Sequence, residues 1–282
     1  MVTVSSEEVE KANDGKLVHV SGMAGSSGTL VDSRFETVSA ANSLKLERRV
    51  EMYQWEERES KRYSSDSNTT RVRYSYSYHK KWSRSVIDSS GFKRSGHINP
   101  RKMPVKGEET YAANPKLGAF RVTRSLVDKM KTQMIVPKDT VGLEGARIKG
   151  KMIYYRPNSS HIDDLGGPEI GDVRISFHAQ VPHEATIIAG QSGDTLKTYK
   201  TSNGGSIEMV SSGHVEPGVM FSSERLVETL KVWLVRFACG FFFFLIFIMK
   251  SSSFSSSLRG IPAAILFSLL LTLGIISTII AF

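Results

Sequence analysis

One cysteine in 282 residues, Cys239, excludes an intramolecular disulfide and any cysteine-based metal centre, and leaves the redox compartment open. The N-terminal stretch MVTVSSEEVEKANDGK has no apolar core and carries Glu7, Glu8 and Glu10, so it is not a cleavable signal peptide. An amphipathic Arg-rich transit sequence is missing as well. So are the signatures of catalysis: there is no serine elbow, cysteine nucleophile or nucleotide fingerprint. The glycines at Gly25, Gly142 and Gly166-Gly167 sit in turn-like contexts without the Lys-Ser/Thr that a phosphate loop needs. His178 and His183 lack the helical i, i+4 spacing of a metal-binding HExxH. Glu56, Glu57 and Glu59 sit beside Arg58, Lys61 and Arg62 as a solvated charge ladder, and Asp163-Asp164 belong to a turn. These absences predict a protein that is not an enzyme and needs no cofactor or metal.

Two apolar runs stand out against a polar first 230 residues. Val232 to Met249 carries one charge, Arg236, and Ile261 to Phe282 carries none. As helices they would reach roughly 27 and 33 Å, enough for a hydrocarbon core of about 30 Å. The segment SSERLVETLKVWLVRF, with an N-cap serine and Glu224 in the first turn, predicts a helix leading into the first run. Trp233 and Arg236 are expected to anchor it at the headgroups, the arginine snorkelling outwards. The loop between the runs carries Lys250 and Arg259 and no acid, which puts it on the cytoplasmic side and the large domain in the lumen. In the second run Ser268, Thr272, Gly274 and Ser277 suit close packing on neighbouring helices.

The net charge of +9 is concentrated between Lys45 and Lys106, where sixteen basic residues face seven acidic ones. A solvated sheet face or a surface for anionic lipid fits this; nucleic acid does not, since no basic helix or RNP-type motif accompanies it. In this region Leu44, Leu46, Val50 and Met52 share one parity. After the polar SSDSN, Val72, Tyr74, Tyr76 and Tyr78 alternate with arginines and serines. That pattern predicts a long hairpin in a sheet packed on one side and wet on the other. Further strands are expected at Leu17–Val20, Lys151–Tyr155 and Val173–Phe177, with a second hairpin from Thr186 to Tyr199 and a short helix in SLVDKMKTQM. Asn68 and Asn158 head N-x-S/T sequons in predicted loops and are candidate glycosylation sites if the domain is lumenal.

The expected fold class is α+β: a β-rich soluble domain with long antiparallel hairpins, followed by transmembrane α-helices. The expected division is an N-terminal segment (1–43), the β-rich domain (44–216), a helix running into the membrane (217–249), a Ser-rich loop (250–260) and a final transmembrane helix (261–282).

GKLVHVSG at Gly15, LERRVEMYQW ending at Trp55, TRVRYSYSYHKKW ending at Trp82, GHINP at Gly96, GDVRISF at Gly171 and K-x-W-x-x-R at Lys231 together resemble the transmembrane protein 43, or LUMA, family. The resemblance implies a multi-pass protein of the endoplasmic reticulum and inner nuclear membrane with four spanning helices and a large lumenal domain. It implies a role in organising membrane protein complexes, with lamins and emerin-type proteins as partners, and no catalytic residues. Against that pattern the chain begins after the expected first helix and stops before a fourth, and is read as truncated. The first expectation for function is therefore a non-enzymatic membrane scaffold that self-associates and binds membrane lipids and other membrane proteins. The second is a lipid-engaging module whose basic hairpin docks on anionic membrane surfaces.

Overall fold

The computed structural model describes residues 1–66, 69–140, 142–157, 167–222, 233–238 and 240–241. The chain divides into two compact units, Met1–Val215 and Glu216–Phe282. Among the described residues, nearly all regular elements of the first unit are strands. In chain order they are β1 (Val2–Val4), β2 (Leu17–Gly25), β3 (Thr29–Val31), β4 (Ser39–Ala41), β5 (Lys45–Asp66) and β6 (Thr69–Ser83). There follow β7 (Glu108–Tyr111), β8 (Lys116–Leu117), β9 (Phe120–Val122), β10 (Gln133–Ile135), β11 (Arg147–Lys149) and β12 (Met152–Tyr155). The last are β13 (Val173–Gln180), β14 (His183–Ser192), β15 (Thr195–Lys197), β16 (Tyr199–Lys200), β17 (Ser206–Ile207) and β18 (Met209–Ser212).

One sheet closes on itself. β2 pairs β8, β8 pairs β9, β9 pairs β15, β15 pairs β14 and β14 returns to β2, making a small five-stranded barrel with β1 and β18 added outside the ring. Its interior is filled by Val18, Val20, Leu117, Phe120, Ile187 and Leu196, and α1 (Arg124–Asp128) contributes Leu126 and Val127. Closure removes edges that would otherwise seek partners. Where the N-terminal segment crosses the seam, only glycine fits: a Cβ on Gly118 would stand 2.1 Å from the Ser6 carbonyl oxygen, at φ +58°.

The other sheet runs β11-β12-β13-β5-β6, with β10 on β13 and β7 on β5. Its core face carries the expected parity: Leu46, Val50 and Met52 of β5 are buried with Val173, Ile175 and Phe177 of β13, and Phe35 meets Phe177 edge-on at 5.3 Å. One residue on this apolar parity is charged. Arg48 is buried and pairs with the equally buried Asp32, while its other nitrogens donate to the Lys106 carbonyl (2.9 Å) and to Glu108 (2.9 Å).

The opposite face of β5 holds a second polar group. Burial opposes charge on Lys45, but hydrogen bonds to Asp128 (2.8 Å), Tyr111 and Glu109 outweigh it and raise its pKa. Burial would raise the Asp128 pKa, and Lys45 and Tyr111 bring it below the usual carboxylate range. Glu47 is likewise lowered, its burial outweighed by Arg49. On β13, burial and then Arg49 push His178 below an ordinary histidine. The unfolded chain therefore takes up a proton at His178 near pH 6.5 before the folded chain does, and the depressed carboxylates add to the loss below about pH 4.5. Stability is expected to fall steadily as pH drops from about 7 towards 4. His178→Asn should flatten the upper limb, followed as urea midpoints against pH, and leave the lower one.

Two parts of the expected fold class are overturned. The first unit is not α+β. Among the described residues its helices are a 3-10 turn at Lys11–Asn13 and α1 of five residues. The helical pattern of SLVDKMKTQM is cut short because Gln133–Ile135 is recruited as β10 against β13. Nor do transmembrane α-helices follow among the described residues, where no helix is long and apolar enough to cross a membrane. In the second unit residues 217–222 and 233–238 are helical, six residues each. The apolar run 261–282, and residues 232, 239 and 242–249 of the run before it, lie outside the described residues.

Candidate docking hairpin

β5 and β6 form an antiparallel ladder of fifteen register pairs, from Met52↔Ser83 to Asp66↔Thr69, without a bulge. Beyond Glu57 no other strand among the described residues pairs with either, so at about 3.3 Å per residue the hairpin extends as an arm of about 30 Å. Strand alternation sorts its side chains. One face carries Tyr53, Trp55, Glu57, Glu59, Lys61 and Tyr63 of β5 against Trp82, Lys80, Tyr78, Tyr76, Tyr74 and Val72 of β6. The other carries Glu56, Arg58, Ser60 and Arg62 against Lys81, His79, Ser77, Ser75 and Arg73.

The base of the aromatic face is covered. The segment after β6 folds back so that His97 stacks on Tyr78 (3.8 Å, 15°) and meets Trp55 edge-on at 4.6 Å, and Phe92 lies 5.9 Å from Tyr78. Asn99, itself buried, fills the place beside Trp55 where β13 has left the sheet. Its Oδ1 accepts from the Trp55 amide (2.7 Å), and its Nδ2 donates to the carbonyls of Trp55 (2.9 Å) and Ile87 (3.1 Å). Tyr78 and the Lys93 amide both donate to Glu57, which holds this carboxylate below its usual pKa, while burial and then Glu57 push the phenol up.

Towards the tip the covering ends. Tyr63 is 71%, Tyr74 51% and Val72 41% exposed, so the sheet expected to be packed on one side is wet on both faces here. Cations crown two rings, Lys80 over Trp55 at 4.9 Å and Lys61 over Tyr74 at 5.3 Å. Part of the basic excess is already paired: Arg58 and Lys81 with Glu56, Lys61 with Glu59, Arg49 with Glu47, and Arg48 inside the core. Arg62 and Arg73 lie opposite each other on the non-aromatic face, both exposed.

Of the residues singled out from sequence, Asn68, Asn158, Lys250, Arg259, Ser268, Thr272, Gly274 and Ser277 lie outside the described residues. Trp233 and Arg236 share the helical stretch 233–238, with the guanidinium 5.9 Å from the indole centroid and Phe237 at 5.7 Å. Among the described residues no group of three or more His, Asp, Glu or Cys is arranged to hold a metal. Asn99 and His97, which shape the hairpin base, lie in GHINP, a motif that carries the family resemblance, but neither has a role assigned from sequence; the Asn-Pro turn dipeptide signals a turn and not this covering.

The family model described as transmembrane protein 43 matches residues 52–282, a span that includes the whole arm. The chain belongs to the transmembrane protein 43 family. It is 30% identical over 249 residues to transmembrane protein 43 of Rattus norvegicus, covering 83% of this chain and 60% of that protein. The figures for the Homo sapiens protein are 30% over 248 residues, 83% and 60%, and for the Drosophila melanogaster homolog 30% over 244 residues, 84% and 62%. The chain thus spans about 60% of the length of the curated relatives it matches. No solved structure matches it. Membership in the transmembrane protein 43 family makes this a membrane protein, and the family is not a known enzyme family.

Proposed function

We propose that this protein is a non-enzymatic scaffold of the endoplasmic reticulum membrane and inner nuclear membrane, whose β5–β6 arm docks other membrane proteins. The observation that carries the reading is the arm: about 30 Å of hairpin rooted in a well-packed sheet, wet on both faces, with tyrosines exposed towards its tip. Tyrosine offers large rigid contact area with a polar end, which suits recognition surfaces. The family resemblance implies lamin and emerin-type partners for the whole protein, and the arm is proposed to meet membrane proteins on its own side of the membrane.

A photo-crosslinking amino acid at Tyr74 of the full chain in its native membranes tests this. Adducts with discrete membrane proteins, missing when the label sits at exposed Lys149 of β11, are expected. Adducts to lipid alone would replace the scaffold with a lipid-docking module, the reading that exposed Arg62 and Arg73 favour. Adducts to neither would overturn both.

A further inference from the structure

β6 is the last strand of its sheet, and the phase of its hydrogen bonds can be read from β5. The Tyr53 amide donates to the Asp172 carbonyl (2.8 Å) and the Tyr53 carbonyl accepts from Gly171 (2.9 Å); Trp55 does the same with the Asn99 side chain. Odd-numbered residues of β5 therefore direct their backbone groups away from β6, and even-numbered ones exchange theirs with it. Through the register, the inward partners on β6 are Arg73, Ser75, Ser77, His79 and Lys81. Val72, Tyr74, Tyr76, Tyr78 and Lys80 direct their N–H and C=O outward. None of the hydrogen bonds of the described residues engages these outward groups.

A long, regular, unpaired edge is a template for another strand, and proteins usually blunt it with proline, a bulge or charge. β6 has neither proline nor bulge. Its charge is of one sign only: Arg71, Arg73, Lys80 and Lys81, with no Asp or Glu. That excludes its own kind, because β6 of a second copy would set cations beside cations. It favours a strand that brings carboxylates.

We infer that the β6 edge accepts an extended, acidic segment of a partner protein as one more strand of the sheet. Alternation specifies the segment further. Residues on the tyrosine face lie beside Tyr74, Tyr76 and Tyr78 and are apolar; those between them lie beside Arg73 and His79 on the other face and are acidic. The inference rests on reading the arm as a docking element and supplies the mode and the partner chemistry.

The test uses the full chain in detergent with the probe peptide VEVEVEVEVE, alongside VKVKVKVKVK and a version of the first N-methylated at alternate residues. The acidic peptide is expected to bind, to bind less tightly as salt is raised, and to slow hydrogen exchange of the Tyr74, Tyr76 and Tyr78 amides about tenfold or more. The lysine peptide and the peptide whose methyls block its edge-pairing amides should do neither. Tyr76→Pro removes an outward N–H that the hairpin itself does not use, so it should weaken binding about tenfold while the Ser75 and Ser77 amides stay protected. If that variant fails to fold, the N-methylated peptide carries the comparison. Equal binding of the lysine peptide, or undiminished binding by a folded Tyr76→Pro, overturns the inference. So does protection of the same amides by phosphatidylserine vesicles and not by the acidic peptide. Tyr74 adducts with membrane proteins that persist in Tyr76→Pro would sink edge pairing and leave the docking arm standing.

Discussion

Arg48→Met is expected to destabilise the first unit by about 3–5 kcal/mol, seen as a large drop in the urea midpoint of the full chain. The reason is what the substitution leaves behind. Asp32 is 3% exposed, and its carboxylate accepts from the Arg48 guanidinium and from the amides of Arg34 (3.0 Å) and Phe35 (2.9 Å). Removing the cation strands a buried anion, whereas the lost contact by itself is worth much less. Adding Asp32→Asn should therefore recover a good part of the loss, because the amide oxygen still accepts from Arg34 and Phe35 without a charge to desolvate. Arg58→Met provides the contrast. Arg58 is exposed and pairs with Glu56 at 2.7 Å, so about 0–1 kcal/mol is expected. Equal small effects at both positions would show that Arg48 does not hold β5 to the Asp32 loop.

Arg48 also shows where the sequence was legible and where it was not. The parity of Leu46, Val50 and Met52 identifies the core face of β5 because a strand's side chains alternate with period two over many residues, while Leu44, of the same parity but before the strand, packs into the barrel core instead. The same logic found the hairpin, β13 and the β14–β15 turn. It passes over Arg48, since a charged residue on an apolar parity is legible only once its partner, sixteen residues away, is known. The barrel was hidden for a related reason. It closes through β8, β9 and β15, which have two or three residues each, and β9 pairs in parallel with a strand more than seventy residues later. Strands that short carry no period, so distant neighbours decide their pairing. The helical period of SLVDKMKTQM misled because β10 claims its end. The arm was visible as a hairpin, but the covering of its base by residues 84–100 was not, because that segment contributes isolated side chains rather than a pattern.

Among those isolated side chains Asn99 has the largest expected consequence. Asn99→Ala removes the acceptor for the Trp55 amide and the donor for the carbonyls of Trp55 and Ile87 at a position only 6% exposed. At about 1–3 kcal/mol for each buried group left without a partner, and with water reaching some of them, the loss should be about 2–4 kcal/mol. Asn99→Asp separates shape from hydrogen bonding: it keeps the acceptor for Trp55 but loses the donor and brings a charge into the site, so it should be at least as damaging. The damage should also be local. Freed from Asn99, the segment carrying Phe92 and His97 would lift from Tyr78 and Trp55, and exchange at the Trp55 amide should accelerate while amides of the barrel strand β14 keep their protection. Such a variant lengthens the open edge of β5 towards the root of the arm and uncovers two more aromatic rings. If the arm docks partners through its free edges, Asn99→Ala should broaden the set of proteins crosslinked from Tyr74, even as the fold weakens. A narrower set, with the barrel intact, would mean that the covered base, and not the open tip, is what partners recognise.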